Sequence, residues 1–144
     1  MPRHRAPRYF SSLMPMPMIA VLNRQRAVRF DVRWLRRFAC GALEKCREIS
    51  DDGKFALQRL DEVSVAIVSD RTIARVHVDF MGIAGATDVI TFEHGEIVMS
   101  AQTAALHAAE HGHRVEVELA LYTLHGLLHL NGFEDVTSRD AARM

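Results

Sequence analysis

The stretch HGLLHLNGFED, residues 125–135, combines a helical pattern with a set of potential metal ligands. His125 and His129 are four residues apart, so on a helix both imidazoles lie on one face, one turn apart. Gly132 is a typical helix terminator, and Asp135 follows it once the chain has turned. Three such ligands leave a fourth position open, as in catalytic zinc sites. The spacing therefore predicts one Zn2+ per chain on His125, His129 and Asp135.

A second interpretation of the two histidines involves no metal. The surrounding residues Leu124, Leu127, Leu128 and Leu130 make the helix largely apolar. A histidine on such a helix is often a core residue with a hydrogen-bond partner. Two histidines one turn apart, followed by a glycine turn and a carboxylate, favour the metal, but the sequence alone leaves both interpretations in place.

Gly126 limits the chemistry that such a metal site can perform. In zinc peptidases with the HExxH pattern, the residue after the first histidine is a glutamate that acts as the general base. Glycine occupies that position here, which disfavours peptidase chemistry and leaves a metal-bound water as the reacting group. No side chain is assigned as catalytic. Glu93, Glu116 and Glu134 are the nearest candidate acid–base groups in the sequence, and each taken alone is more typical of a surface carboxylate.

The rest of the chain alternates between strand-like and helix-like segments. Strands are predicted at 18–23 and 63–69, and a hairpin is predicted from 87–92 and 96–100. Helices are predicted from Asp31 to 49, from Ser69 or Asp70 to about 79, over 101–112, and from about 114 to 131. This order predicts an α/β (α+β-like) domain, a small mixed four-stranded sheet packed with helices. The metal site would lie on the C-terminal helix and the turn that follows it.

The composition is that of a globular chain without a membrane segment. The 144 residues carry no formal net charge, and no run approaches the roughly 18 apolar residues of a membrane span. Residues 1–16 hold three arginines and no acidic residue, and they are predicted to form a disordered extension before a single domain at 17–144. Cys40 and Cys46 are interpreted as small half-buried residues, which fits a cytoplasmic protein.

A second group of histidines precedes the C-terminal helix. His107 and His111 are also four residues apart, and His113 follows closely, so one interpretation is a second metal site. No third ligand follows at a suitable turn, and exposed histidines on an alanine-rich helix are the favoured explanation. His113 alternatively lines the active cleft.

Several segments resemble the YbeY family of bacterial endoribonucleases and rRNA maturation factors. HGLLHLNGFED is similar to the family's HGxLHLxGxDH signature, TDVITF (87–92) to its PTxVLSF segment, and GEIVMS (95–100) to its GDIxIS segment. Gly112 and His113, followed by Glu118 and Leu119, also fit the family's helix entry. The resemblance extends from about Met18 to Asp135.

The resemblance implies a single-strand-specific metallo-endoribonuclease that acts in 16S rRNA 3′-end maturation and ribosome quality control. His125 and His129 match the first two metal histidines, Asp135 falls where the third would be, and Glu134 replaces an acidic neighbour. The implied partners are rRNA and the small ribosomal subunit precursor in the cytoplasm, with no membrane and an undetermined oligomeric state. A non-catalytic, metal-stabilised ribosome-assembly factor and a metalloprotease-like hydrolase remain as alternatives.

Two positions depart from the family's pattern near the expected RNA contact. Met81 stands where the family usually has an arginine thought to face the RNA, and Ala86 replaces the proline of the PTxVLSF segment. Arg33, Arg36 and Arg37 share one face of the first predicted helix, and their spacing suits contacts with RNA phosphates. A solvated helix face explains these arginines as well.

Overall fold

The computed structural model of the chain describes residues 18–49 and 56–133. The predicted extension at 1–16, the predicted loop at 51–53, and both Glu134 and Asp135 lie outside the described residues. Within 18–49 and 56–133, no helix is long and apolar enough to cross a membrane.

Nine elements follow one another in the described chain. The strands are β1 (Met18–Asn23), β2 (Glu62–Val68), β3 (Val89–Phe92) and β4 (Glu96–Ser100). The helices are α1 (Val32–Glu48), α2 (Ala56–Arg59), α3 (Asp70–Met81), α4 (Ala101–His111) and α5 (Val115–Leu130). Helix α2 was not predicted, because a four-residue turn is too short to show helical periodicity.

The four strands form one mixed sheet in the order β1-β2-β4-β3. β1 and β4 both run parallel to β2, and β3 returns antiparallel to β4 as the hairpin that the sequence predicts. This arrangement confirms the predicted α/β class with a mixed four-stranded sheet. Because β3 lies at the edge of the sheet, its last residue, Phe92, and the turn after it, which starts at Glu93, lie at the sheet's border.

The starts of three helices are fixed by capping side chains. Asp31, Ser69 and Ser100 each accept a hydrogen bond from the backbone N–H three residues further on, at the first turns of α1, α3 and α4. Such a cap satisfies one of the four N–H groups that a helix leaves unpaired at its start. The sequence identified Asp31 and Ser100 as caps, and it left Ser69 and Asp70 as alternatives, of which Ser69 is the cap.

The sheet is covered by helices on both faces, as expected of its apolar central strands. On one face, residues of β2 and β4 such as Val65 and Ile97 share a core with Leu35 of α1 and Leu127 of α5. On the other face, Ile73 of α3 packs in a smaller cluster with alternate residues of β2, β3 and β4. Helix α5 therefore lies against the sheet, with α1 and α4 packed beside it.

Candidate metal centre at the end of helix α5

His125 and His129 lie one turn apart on α5, as their spacing predicts. His125 is exposed, and the side chain of His129 is 21% exposed, whereas Leu127 and Leu130 on the same helix are buried. The two imidazoles thus lie at the border between the core and the solvent. This position disfavours the interpretation of His125 as a buried core histidine and leaves the pair accessible to a ligand.

The end of α5 reverses the chain directly after His129. The N–H of Gly132 donates to the carbonyl of His129 over 3.0 Å, and the N–H of Phe133 donates to the carbonyl of Leu128 over 2.8 Å. These two bonds form a Schellman motif, in which the residue after the cap adopts a left-handed conformation that glycine allows. Gly132 has that conformation, with a φ of 95°. Asp135, the predicted third ligand, lies outside the described residues, so its role stays a prediction.

The same helix end is tied to α1 by a buried side chain. Asn131, which is 1% exposed, donates from Nδ2 to the carbonyl of Cys46 over 2.7 Å. Burial raises the pKa of the Cys46 thiol, which therefore stays protonated at neutral pH. Cys46 is a buried packing residue, whereas Cys40 on the same helix is exposed.

Gly126 lies where α5 approaches β4 most closely. A Cβ at this position would come within 2.7 Å of Ile97 Cδ1 and 2.9 Å of Ile97 Cγ2. Ile97 itself is completely buried between β2 and β3. There is consequently no room for the glutamate of an HExxH peptidase. Close packing against Ile97 explains why residue 126 is a glycine.

The three candidate acid–base carboxylates have different surroundings. Glu93 follows β3, is exposed, and places Oε2 3.9 Å from His129 Nε2. Glu116 instead accepts a hydrogen bond of 2.7 Å from the N–H of Asp31, so it joins the start of α5 to the start of α1. Glu134 lies outside the described residues. Of the candidates that the structure describes, Glu93 is the carboxylate at the histidine pair.

Phe92 and His94 flank Glu93 in the sequence, and together with Phe80 of α3 they form a row of three aromatic rings. The rings of Phe80 and Phe92 meet edge to face at 5.4 Å, and His94 stacks on Phe92 at 5.4 Å. Phe80 is 70% exposed, and the side chain of His94 is 69% exposed. Sequence reasoning missed this row, because Phe80 lies in the last turn of α3 and the other two residues belong to the β3–β4 hairpin.

A second group of potential ligands lies where α4 meets α5. One ligand atom from each of His111, His113 and Glu118 falls within 4.8 Å of the others, an arrangement that can hold a metal ion. His113 Nε2 hydrogen-bonds to Glu118 Oε2, and His111 Nδ1 lies 3.5 Å from the same oxygen. His111 is exposed, as the favoured explanation expects, but sequence reasoning missed Glu118, a potential third ligand that comes from α5 rather than from a following turn.

The electrostatics of this cluster keep Glu118 ionised. Burial raises the pKa of the Glu118 carboxyl, but hydrogen bonds and positive charge from His113 and His111 outweigh burial, and the pKa is lowered overall. The pKa of the neighbouring Tyr122 is also raised, mainly by burial and then by the carboxylates of Asp88 and Glu118. The phenol therefore stays protonated, and its oxygen lies 2.8 Å from His107 Nδ1.

The predicted arginine face exists on the surface. Arg33, Arg36 and Arg37 are exposed and, with Cys40, line a surface groove of about 480 Å³. Arg36 is partly fixed, because its Nη2 donates to the carbonyl of Val21 over 3.2 Å. The three arginines share one surface, and their contact with RNA stays a prediction.

A mixed sheet covered by helices, with two accessible histidines on its packed C-terminal helix, defines an α/β protein with a candidate metal centre. A family model described as Endoribonuclease YbeY matches residues 21–144. The chain therefore belongs to the YbeY family, and the resemblance seen in the sequence is confirmed.

Individual relatives agree with this assignment. An Endoribonuclease YbeY from Symbiobacterium thermophilum is 38% identical over 99 residues, which cover 57% of this chain and 64% of the relative. One from Corynebacterium jeikeium is 34% identical over 122 residues, which cover 67% of each. The chain thus spans about two thirds of the length of these two relatives. A solution structure from Thermotoga maritima is similar, with a TM-score of 0.54 at 27% identity, over 81% of this chain and 74% of that chain.

Proposed function

We propose that the protein is a metal-dependent endoribonuclease that cleaves single-stranded RNA at a metal ion held by His125, His129 and Asp135. The observation that carries the proposal is the accessible histidine pair on α5, followed at once by the chain reversal at Gly132. The name of the related proteins supplies the reaction class, since each of them is an Endoribonuclease YbeY.

The residues fit a zinc ion by the chemistry of their donor atoms. Neutral imidazole nitrogens with one carboxylate are a common ligand set of catalytic zinc sites. When bound, Zn2+ supplies a Lewis acid for a phosphate oxygen and an acidified water. In this proposal, His125 and His129 fix the ion at the helix end, while the surrounding residues bind the RNA and handle protons.

A row of exposed aromatic rings at the β3–β4 turn and the end of α3 supports a single-stranded substrate. Unpaired bases stack on aromatic side chains, whereas bases in a duplex are already stacked on each other. Phe80 and His94 are both well exposed and thus offer rings to an incoming base. Arg33, Arg36 and Arg37 would bind phosphates further along the strand, because they line an exposed groove.

Glu93 is the proposed proton-handling group. Its exposed carboxylate lies 3.9 Å from His129 Nε2, so RNA held at the histidine pair would meet it. Replacing Glu93 with glutamine keeps the size and removes the base, which is expected to lower kcat about a hundredfold. Cleavage kinetics measure the effect, with Glu44→Gln on the exposed surface of α1 as the matched control. Equal rates for both variants would remove Glu93 from the mechanism.

The proposal extends to 16S rRNA 3′-end maturation and quality control of the small ribosomal subunit in the cytoplasm. Membership of the YbeY family supports this extension. Under it, the RNA partner is the 3′ end of the 16S rRNA precursor, which the exposed rings and the arginine groove would bind.

Metal removal tests the proposed function. The full chain is incubated with single-stranded and duplex RNA of the same sequence, before and after removal of metal by a chelator and after addition of Zn2+. Cleavage restricted to the single strand, lost on chelation and restored by Zn2+, is the expected result, because the reaction needs the ion for its charge and its water. Cleavage that survives complete metal removal, or a zinc-loaded chain that leaves single-stranded RNA intact, would refute the proposal.

A further inference from the structure

The cluster of His111, His113 and Glu118 takes no part in the proposed cleavage of RNA. We propose that it is a second metal site, which binds Zn2+ or a similar divalent transition metal and joins α4 to α5. Its ligands come from three successive segments: the last turn of α4, the link between the helices and the first turns of α5.

The ligand atoms are already close to the separation that a metal requires. Zinc–ligand bonds of about 2.0–2.2 Å place the atoms of a tetrahedral site roughly 3.3–3.6 Å apart. His111 Nδ1 lies 3.5 Å from Glu118 Oε2, and all three ligand atoms lie within 4.8 Å of one another. Small side-chain rotations are therefore enough to close the site around an ion.

Burial and charge also favour a cation at this position. Glu118 is only 4% exposed, and an ionised carboxylate in such a place is costly unless it is compensated. His111 is exposed and gives an ion a route from the solvent, while His113 is half-buried against the carboxylate. Two imidazoles with one carboxylate select zinc-like ions over Ca2+ and Mg2+, which prefer oxygen ligands.

His107 and Tyr122 surround the cluster. His107 Nδ1 lies 4.0 Å from Glu118 Oε1 and 2.8 Å from the Tyr122 hydroxyl, which fixes the orientation of the imidazole. At 4.0 Å the imidazole lies outside hydrogen-bond distance of the carboxylate, so His107 is a neighbour of the site rather than one of its ligands. Glu118 therefore has more polar neighbours than a single ion pair provides: His107, His111, His113 and Tyr122.

The cluster is separate from the predicted catalytic pair. Glu118 and His125 are seven residues apart on α5, which corresponds to about 10 Å along the helix axis. One ion cannot bind to both groups, because zinc–ligand bonds reach only about 2.0–2.3 Å. An ion at the cluster would act by stabilising the α4–α5 junction, since a ligand that binds only the folded state raises stability.

Zinc content and thermal stability test the second site. His111→Ala and Glu118→Gln are made in the wild-type chain and in a His125→Ala/His129→Ala chain, and all proteins are loaded with Zn2+ and dialysed. In both backgrounds, we expect each replacement to remove one zinc equivalent per chain. The increase in Tm that Zn2+ causes should be about 5 °C or more in the parent, and each replacement should reduce it. His94→Ala is the matched control, an exposed histidine that lies 3.3 Å from Glu96.

The two backgrounds separate this proposal from the proposed function. If the pair on α5 binds no metal, the double replacement leaves the zinc content unchanged, but the loss caused by His111→Ala is still measured. Because His111 is exposed, His111→Ala is expected to keep a metal-free Tm close to the parent's, whereas Glu118→Gln loses buried ion pairs, so its Zn2+-induced Tm increase is measured from its own metal-free Tm. Unchanged zinc content and an unchanged Zn2+-induced Tm increase in both variants and both backgrounds would overturn the second site.

Discussion

Replacing His129 with alanine is expected to lower kcat for single-stranded RNA about a thousandfold, which corresponds to about 4 kcal/mol of lost transition-state stabilisation. In the proposed site His129 would be one of the metal's ligands, so its loss would weaken binding of the ion that would supply the Lewis acid. His125→Ala is expected to have a similar effect. Single-turnover cleavage assays give the rate constant, and a parallel binding assay shows whether RNA affinity is retained.

A histidine outside α5 serves as the control for this prediction. His77 on α3 has its Nδ1 2.9 Å from the carbonyl of Gly85, and His77→Ala is expected to keep the cleavage rate. Because His125 is exposed, His125→Ala should also leave the free energy of unfolding unchanged. Variants of His125 and His129 that cleave RNA as fast as the parent would show that the pair holds no catalytic metal.

Replacing Gly126 is expected to have the largest effect on stability. Gly126→Ala should lower the free energy of unfolding by about 1–3 kcal/mol, because the new Cβ would lie 2.7–2.9 Å from buried atoms of Ile97. This cost outweighs the gain of about 1 kcal/mol from the higher helix propensity of alanine. Gly126→Glu, which restores the HExxH pattern, adds a buried unpaired carboxylate and should abolish cooperative folding. Urea unfolding followed by circular dichroism measures both effects.

A second helical glycine is the control for Gly126. A Cβ on Gly41 in α1 would meet no atom within 4 Å, so Gly41→Ala should be neutral or stabilising by up to about 1 kcal/mol. In an Ile97→Ala background, the contact with Gly126→Ala disappears, and the two replacements should be less than additive. Gly126→Ala and Gly41→Ala of equal stability would contradict the close packing of α5 against β4.

Much of the fold could be predicted from the sequence, because its signals are local. Helix caps such as Asp31 and Ser100 act on N–H groups three residues away, and the hairpin of β3 and β4 is fixed by its short turn. Helix α2 escaped prediction because four residues carry no periodicity. The coverage of both sheet faces could be predicted from the apolar character of β2, whereas the order of the strands depends on long-range pairing and was not predicted.

The candidate sites were predictable only where their residues are close in sequence. His125 and His129 are fixed by one helical turn, so their position could be foreseen. The choice of Glu93 among three carboxylates depends on the edge position of β3 beside α5, which no local pattern reveals. Glu118 was missed for the same reason: it joins His111 only after α4 and α5 have packed, although a glutamate within the apolar run VEVELAL signals a buried carboxylate that needs partners.

The central claim is that the end of α5 holds the catalytic metal, and anomalous diffraction at the zinc edge tests it most directly. Crystals of the zinc-loaded, RNA-cleaving chain are predicted to show an anomalous peak within bonding distance of the imidazoles of His125 and His129 and of the Asp135 carboxylate. A crystal of active, zinc-loaded protein without a peak at His125 and His129 would contradict the claim.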